Sequence, residues 1–187
     1  FNSIREALRN ETASSGNGLF GEILKPKIGN TYTLRLLPQK EDGKTPWFEY
    51  EQHSWDSLKT GEFISVLSLR TFKQTDPIAS ELYRIKKKGT EEEQEKAKLI
   101  KWARNGYVNV YVVEDPVNPE NNGKVKILRA GKKVMDKFKS AVDGDDAEEY
   151  GAKVFDLSKA GVNFKLKVEK VVVNGTPMNN YDNSRFT

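Results

Sequence analysis

Apolar and polar residues alternate in six segments of the chain, at the two-residue period that side chains follow along a β-strand. The segments are 31–37, 47–53, 62–69, 107–113, 124–130 and 162–173. The segment 107–113 is the richest in β-branched and aromatic residues, and a loop with two prolines, 114–123, joins it to 124–130. We therefore expect a mainly β protein in which 107–130 forms a hairpin.

Helical spacing of apolar residues separates the first three strands from the last three. It occurs at 77–85 and at 91–104, where Thr90 can cap the helix, glutamates occupy the first turn and basic residues come late. Another helix is predicted at 132–142, and a short helical pattern lies within residues 1–20. Because strands lie on both sides of the first two helices, the sequence predicts a β domain with a helical insertion.

Composition adds limits to this picture. With 187 residues, of which 36% are hydrophobic and 31% charged, the chain can form one domain with a packed core and a densely ionic surface. The formal net charge is only +4, but the charges are segregated. The segment 124–139 contains seven Lys and Arg residues and the single acid Asp136, whereas 143–149 contains five acidic residues and no basic one. The distribution of charge therefore bears on binding more than its sum does.

Several kinds of chemistry are excluded by residues that the sequence lacks. It has no cysteine, which excludes disulfides, thiolate metal sites and cysteine nucleophiles and favours an intracellular protein. His53 is the only histidine, so we expect neither a catalytic triad nor a multi-histidine metal site, and a structural role is the expectation for His53. Neither glycine-rich phosphate motif occurs, and no apolar run is long enough to cross a membrane. We expect no enzymatic activity and no membrane partner.

Aromatic and basic residues interleave at several places in the chain. They are Arg70 with Phe72, Trp102 between Lys101 and Arg104, Tyr107, and then Arg129, Lys132 and Lys133 in and after the basic strand. Rings stack on nucleic-acid bases whatever their sequence, and cations hold the phosphates. The alternative is a solvated basic strand balanced by 143–149, and composition alone does not decide between the two. Three other rings, Phe138, Phe155 and Phe164, are assigned to the core.

Three blocks of sequence carry a resemblance to a known family. They are VNVYVVEDPVNPENNGKVKILRAGKKVMDKF at 108–138, LRLLPQK at 34–40, and GVNFKLKVEK with NNYDNSRF within 161–186. The run DPxxPENxGKV, followed by RxGKK, is the most specific part. On these residues the chain resembles the helix-destabilising single-stranded DNA-binding proteins of T4-type bacteriophages over most of residues 20–187.

The resemblance implies a fold and a set of contacts. Residues 20–53 and 106–187 would form a five-stranded OB-fold barrel, and 54–105 an inserted helical and β subdomain, with single-stranded DNA in a cleft of basic and aromatic side chains. Some family positions hold other residue types here: Tyr107 replaces a tryptophan, Trp102 an arginine, Leu128 a tyrosine and Met178 a phenylalanine. The DNA-binding residues predicted from pattern and resemblance together are Arg35, Arg70, Phe72, Lys101, Trp102, Arg104, Tyr107, Arg129, Lys132, Lys133, Met178 and Tyr181.

The resemblance also bears on cofactors, because family members bind zinc in the insertion through one histidine and three cysteines. His53 occupies the histidine position, but Val66, Asp76 and Ala79 fall at the cysteine positions, so the thiolates are missing. We expect no structural zinc and no other cofactor. The insertion is expected to be held instead by burial of Ile64, Leu67, Leu69, Ile78, Leu82 and Ile85.

The function that the resemblance implies is sequence-independent binding and protection of single-stranded DNA in phage DNA replication, recombination and repair, in the cytoplasm of the infected bacterial host. Phage replication and recombination proteins are the expected protein partners, through a basic amino-terminal arm and an acidic carboxy-terminal tail that we do not recognise in this chain. Two alternatives stay open. One is an OB-fold adaptor that binds proteins through Trp47, Phe48 and Trp55, and the other is a single-stranded RNA-binding module.

Overall fold

The computed structural model describes residues 22–39, 44–173 and 175–187. The helical pattern predicted within 1–20 lies outside the described residues. The chain divides into two compact units. The first unit contains the described residues up to Trp47 together with Tyr107–Thr187, and the second unit is Phe48–Gly106.

Strands dominate the described residues, as the alternating segments predict. The strands are β1 (Thr31–Leu36), β2 (Trp47–Asp56), β3 (Phe63–Leu67), β4 (Lys101–Glu114), β5 (Val125–Gly131), β6 (Phe164–Lys167), β7 (Glu169–Val173), β8 (Thr176–Asn180) and β9 (Arg185–Phe186). The helices are α1 (Pro77–Lys88), α2 (Glu91–Ala97) and α3 (Lys132–Asp143), and short 3-10 turns occur at Leu69–Phe72, Pro119–Asn121 and Gly151–Phe155. The prediction of a mainly β protein with helices is confirmed. No helix in this part of the chain is both long and apolar enough to cross a bilayer.

Seven of the strands form one sheet, with the hydrogen-bonded order β3-β2-β4-β1-β6-β9 and with β5 also paired to β4. Strands β7 and β8 form a separate two-stranded sheet. A closed barrel requires the outermost strands of a sheet to pair with each other. Among the described strands the sheet is open, so the predicted five-stranded barrel is not confirmed.

The core of the first unit lies between the inner face of its strands and helix α3. Alternate residues of β1, β4 and β6 are buried, and α3 contributes one apolar stripe. The ring of Phe138 on α3 packs edge-on against Phe164 of β6, with centroids 4.8 Å apart, and both rings are fully buried. The core assignment of these two rings is confirmed, whereas Phe155 is half-buried and packs 6.4 Å from Trp47.

Three predicted boundaries are wrong. The helix predicted at 91–104 ends at Ala97, and Lys101 already begins β4. The N–H groups of residues 98–100 still bond back to the last turn of α2. From Lys101 the chain is a strand next to β2 in the sheet, so tertiary pairing outweighs the local helical spacing. The strand predicted at 62–69 ends at Leu67, because the Ser68 hydroxyl accepts a hydrogen bond from the next turn and begins a 3-10 helix.

The strand predicted at 162–173 is divided into β6 and β7, with Val168 between them. The backbone N–H of Val168 donates to the carbonyl of Asn30 at 3.0 Å, and its carbonyl accepts from the N–H of Gly29 at 2.7 Å. The loop predicted after residue 173 contains β8, which pairs with β7 as a hairpin. Gly175 in its turn has a φ of 78°, a backbone conformation that glycine adopts without a steric penalty.

The apolar core predicted for the insertion is also wrong in part. Leu67 and Leu69 are 48% and 39% exposed, and the other four apolar residues of that prediction are only half-buried. Apart from Tyr50, the buried side chains of the second unit are polar, namely His53, Ser68 and Asp76. Hydrogen bonds among these three therefore contribute to the packing of this unit.

Candidate nucleic-acid interface

The first unit has a sheet face that carries rings and cations. In β4 the even-numbered residues from 106 to 112 are buried, so Tyr107, Asn109 and Tyr111 lie on the opposite face. The same alternation places Arg35 of β1 and Arg129 of β5 on that face, because both neighbours of each arginine along the strand are buried. Arg35 and Tyr111 are direct partners across the β1–β4 ladder.

The same face continues onto β6 and β9 with basic residues. Lys165 and Lys167 alternate with buried residues of β6, and Lys165 pairs with Thr33 on one side and with Arg185 on the other. Cross-strand partners share a face of a sheet. The open face, as we call it, consists of Arg35, Tyr107, Tyr111, Arg129, Lys165, Lys167 and Arg185. Its two rings lie on β4, and cations lie on the neighbouring strands on both sides of β4.

A depression of about 400 Å³ lies beside Tyr111 on the open face. Its lining residues are Arg35, Leu37, Tyr111, Val113, Leu157 and Asn163. Tyr111 and Val113 are each nearly two-fifths exposed and Leu157 is more than half exposed, so the depression is open to solvent and mostly apolar. Such a surface can accept the flat face of a nucleobase against the tyrosine ring.

Arg35 builds one wall of this depression. Its Nε donates to Asn163 Oδ1 at 2.8 Å, and its Nη1 donates to the carbonyls of Leu157 and Ser158 at 3.0 and 2.6 Å. Its Nη2 donates to the carbonyl of Gly161 at 3.3 Å. The guanidinium therefore fixes the 157–163 loop beside β1 and leaves a positive charge at the edge of the depression.

Four other predicted residues of the first unit lie outside these strands. Lys132 and Lys133 begin α3 and form exposed ion pairs with Asp136 and Asp182, at 2.5 and 2.7 Å. Met178 lies in the middle of β8 and is 51% exposed. Tyr181 follows β8, is half-buried against the core, and its hydroxyl accepts a hydrogen bond from Asn179 at 3.3 Å.

In the second unit, Glu51 of β2 organises two of the predicted side chains. Its carboxylate accepts from Trp102 Nε1 at 3.1 Å and from Arg104 Nη2 at 2.7 Å, and the Arg104 guanidinium lies 5.7 Å from the centroid of the Trp102 ring. Burial opposes ionisation of Glu51, but the hydrogen bonds from Arg104 and Trp102 and the charge of Arg70 hold its pKa below the usual value. A ring and two cations are thereby grouped around one carboxylate.

The remaining predicted residues of the second unit are exposed. Lys101 begins β4, and Phe72 is 54% exposed at the end of its 3-10 turn. Trp102 lies on a strand and is 46% exposed. Its predicted position near a helix end is therefore wrong, but strand geometry places it on the same face as Arg104, two residues later.

Four residues of the open face were missed by the sequence analysis, namely Tyr111, Lys165, Lys167 and Arg185. A signal existed for three of them. Tyr111 alternates with the valines of 107–113, and the lysines alternate with apolar residues in 162–173, so both segments have one polar face. Arg185 belongs to a strand of two residues, which has no detectable period.

The four family zinc positions come together in the second unit. His53 and Val66 are partners across the β2–β3 ladder, and His53 Nε2 lies 3.2 Å from Asp76 Oδ2. Asp76 caps α1, where its Oδ1 accepts from the backbone N–H of Ala79 at 2.8 Å. Valine and alanine offer no metal ligand, and no group of three or more candidate ligands occurs among the residues that the structure describes. These residues do not fit a structural zinc ion.

Asp76 instead forms a buried node with its neighbours. Its Oδ2 also accepts from the Ser68 hydroxyl and from the backbone N–H of Leu69, the latter at 3.1 Å. Burial alone would raise the pKa of Asp76, but the hydrogen bonds from Ser68, Ala79 and His53 lower it to about 2. Because the carboxylate is ionised and can only accept, His53 Nε2 carries the proton in this bond. The node joins β2, the end of β3 and the start of α1.

Exposed rings with cations along one sheet face are typical of proteins that bind single-stranded nucleic acids without sequence preference. The open face of the first unit has this composition.

Comparison with known proteins identifies the class more closely. Residues 29–186 match the family described as gp32 DNA binding protein like. The chain is 31% identical over 155 residues to the single-stranded DNA-binding protein of Enterobacteria phage T4. The aligned region covers 82% of this chain and 49% of that protein. The single-stranded DNA-binding protein of Enterobacteria phage T2 gives the same identity and coverage. The chain belongs to the gp32-like family of single-stranded DNA-binding proteins, and it spans about half the length of these curated relatives. This is a family of binding proteins rather than of enzymes.

Proposed function

We propose that the chain binds single-stranded DNA along the open face of the first unit. Bases stack on Tyr107 and Tyr111, one of them in the depression beside Tyr111, while Arg129, Lys165, Lys167 and Arg185 neutralise phosphates. The observation that carries this proposal is the continuity of rings and cations on one face of β5, β4, β1, β6 and β9. Stacking on a ring does not select a base, so binding is independent of sequence.

We also propose that side chains of the second unit contact single-stranded DNA. The side chains involved are Arg70, Phe72, Lys101, Trp102 and Arg104. Their support is the grouping of Trp102 and Arg104 at Glu51, which orders a ring and a guanidinium before DNA arrives and so reduces the conformational entropy lost on binding. The first-unit residues Lys132, Lys133, Met178 and Tyr181 extend the contact surface around α3 and β8.

The architecture is proposed to be a variant of the OB-fold. In this proposal residues 20–53 and 106–187 form the OB-like core and 54–105 an insertion. The support is the family membership together with a first unit whose antiparallel strands pack against α3 through one core. In this family role, the chain protects single strands during phage DNA replication, recombination and repair in the cytoplasm of the infected host, with phage replication and recombination proteins as partners.

We also propose that the second unit needs no zinc. The buried node of His53, Ser68 and Asp76 joins the same three elements that a metal ion at the family positions would join. A carboxylate that accepts four hydrogen bonds is stabilised without a metal, because its donors compensate for the loss of hydration.

A titration tests the proposed function directly. Adding oligo(dT) to the chain is expected to quench its tryptophan and tyrosine fluorescence, because bases stack on these rings. Each phosphate contact contributes about −0.7 to the slope of log affinity against log salt. The four open-face cations assigned to phosphates therefore account for a slope of about −3 by themselves, and the other proposed cations make it steeper. Oligo(rU) of the same length provides the comparison with RNA, because the two differ at the 2′-hydroxyl as well as in one methyl group. Absent quenching, or an affinity that does not change with salt, would refute the proposal.

A further inference from the structure

A second concavity lies at the basic end of the open face. It has a volume of about 640 Å³ and is lined by Thr31, Lys137, Lys165, Lys167, Asp182, Asn183, Ser184 and Arg185. Four of these side chains are cationic and one is a carboxylate. Because β6, β9 and α3 all contribute to it, the concavity has fixed walls. We refer to it as the basic pocket.

The single carboxylate of the basic pocket is already neutralised. Asp182 accepts two hydrogen bonds from Lys133 Nζ, at 2.7 and 3.0 Å, and the hydrogen bond from Lys133 is the main reason why the pKa of Asp182 is lowered. Lys167 forms a salt bridge of 2.8 Å with Glu169. In contrast, none of Lys137, Lys165 and Arg185 forms a salt bridge within the part of the chain that the structure describes. The pocket therefore has a net positive charge, in which Lys165 and Arg185 form no salt bridge among the described residues and Asp182 also interacts electrostatically with Lys137.

The basic pocket is also in line with the depression beside Tyr111. Arg35 borders the depression and Thr31 borders the pocket, and these two residues are four positions apart on β1. At about 3.3 Å per residue their separation is about 13 Å. Lys165 pairs with Thr33, which lies midway between them. One extended single-stranded DNA molecule can therefore pass from the depression to the basic pocket along a single face of the sheet.

We propose that the basic pocket binds consecutive phosphates of the single strand whose bases stack at Tyr107 and Tyr111. This inference rests on the proposed function, and it adds Lys137 as a contact and assigns the direction in which the strand leaves the rings. The pocket lacks an exposed ring, so it holds the backbone and leaves the bases in solvent. Its contribution is therefore electrostatic and depends on the length of the ligand.

The test is a double substitution, Lys165→Gln with Arg185→Gln, measured by anisotropy of labelled oligo(dT). Loss of two phosphate contacts reduces the magnitude of the salt slope by about 1.4, which corresponds to about 25-fold weaker binding at about 0.1 M salt if the affinities converge near 1 M. This loss is expected for oligomers of about 16 nucleotides and not for those of about 4, which are the extremes of site size for one such fold. The control is Lys59→Gln with Lys88→Gln, which removes the same charge from exposed positions of the second unit.

The outcomes separate the two proposals. If the unsubstituted chain does not bind oligo(dT), the proposed function fails. If it binds with a steep salt slope and the Lys165/Arg185 variant retains that slope with the long oligomer, the basic pocket is not a DNA contact. This inference and the phosphate roles of Lys165 and Arg185 are then overturned, whereas stacking on Tyr107 and Tyr111 is not. A variant that retains DNA binding but loses binding of a polyglutamate peptide would reassign the pocket to an acidic protein segment. An unchanged melting temperature and circular dichroism spectrum verify that the variants are folded.

Discussion

Replacing Asp76 by alanine is expected to unfold the second unit or to lower its free energy of unfolding by about 3–5 kcal/mol, because several donors lose their acceptor at about 1–3 kcal/mol each. The substitution leaves the Ser68 hydroxyl, the Leu69 N–H and the His53 ring without their acceptor, and it removes the cap of α1. Chemical denaturation followed by tryptophan fluorescence measures the effect, because Trp55 and Trp102 both belong to this unit.

Two controls make this prediction specific. Asp76→Asn retains a side-chain oxygen for the cap but loses the charge, so a smaller loss of stability is expected. Glu81→Gln breaks an exposed ion pair with Arg84 in the same unit and is expected to leave the free energy of unfolding nearly unchanged, because solvent screens the pair. The unsubstituted chain is expected to melt at the same temperature with EDTA and with added zinc. A melting temperature that falls in EDTA would contradict the proposal of a metal-independent node.

Replacing Tyr111 by alanine is expected to weaken oligo(dT) binding by about 1–3 kcal/mol, or about 5-fold to 150-fold, because one base loses its stacking partner. The salt slope is expected to stay unchanged, since no phosphate contact is removed. This combination separates a stacking residue from a cation of the same face. The measurement is anisotropy of labelled oligo(dT) at several salt concentrations.

Matched variants show whether the ring itself is responsible. Tyr111→Phe retains the ring and is expected to bind like the unsubstituted chain. Tyr83→Ala removes a tyrosine that is 64% exposed on α1 and in contact with Lys87, and no effect on DNA binding is expected. Equal losses for Tyr111→Ala and Tyr83→Ala would mean that the open face is not the stacking surface.

The sequence predicts local features of the fold and leaves out those that depend on distant residues. Alternation finds the strands that carry Tyr107 and Arg129, because a half-buried strand needs one apolar face. It does not place Trp102 on a strand, since residues 98–104 also fit a helix and only pairing with β2 decides between the two. Open and closed sheets have the same alternation, so the barrel was inferred from the resemblance alone.

In the candidate site, too, local features can be predicted from the sequence and those that depend on distant residues cannot. The basic and aromatic residue types in 107–139 are visible in the sequence, and so is the absence of zinc thiolates. The node of His53, Ser68 and Asp76 is not visible, because its members are separated by up to 23 positions and none of them is unusual in composition. Nor is the role of Arg35, whose hydrogen bonds reach residues more than 120 positions away.

Ultraviolet cross-linking of the chain to oligo(dT), followed by sequencing of the modified peptides, tests the central claim most directly. Thymine in contact with an aromatic ring forms a covalent adduct at that residue, so the position of the adduct identifies the stacking surface. The open-face proposal predicts adducts at Tyr107 or Tyr111, with loss of the Tyr111 adduct in the alanine variant. Adducts found only on other peptides of the first unit, with none in 107–113, would contradict it.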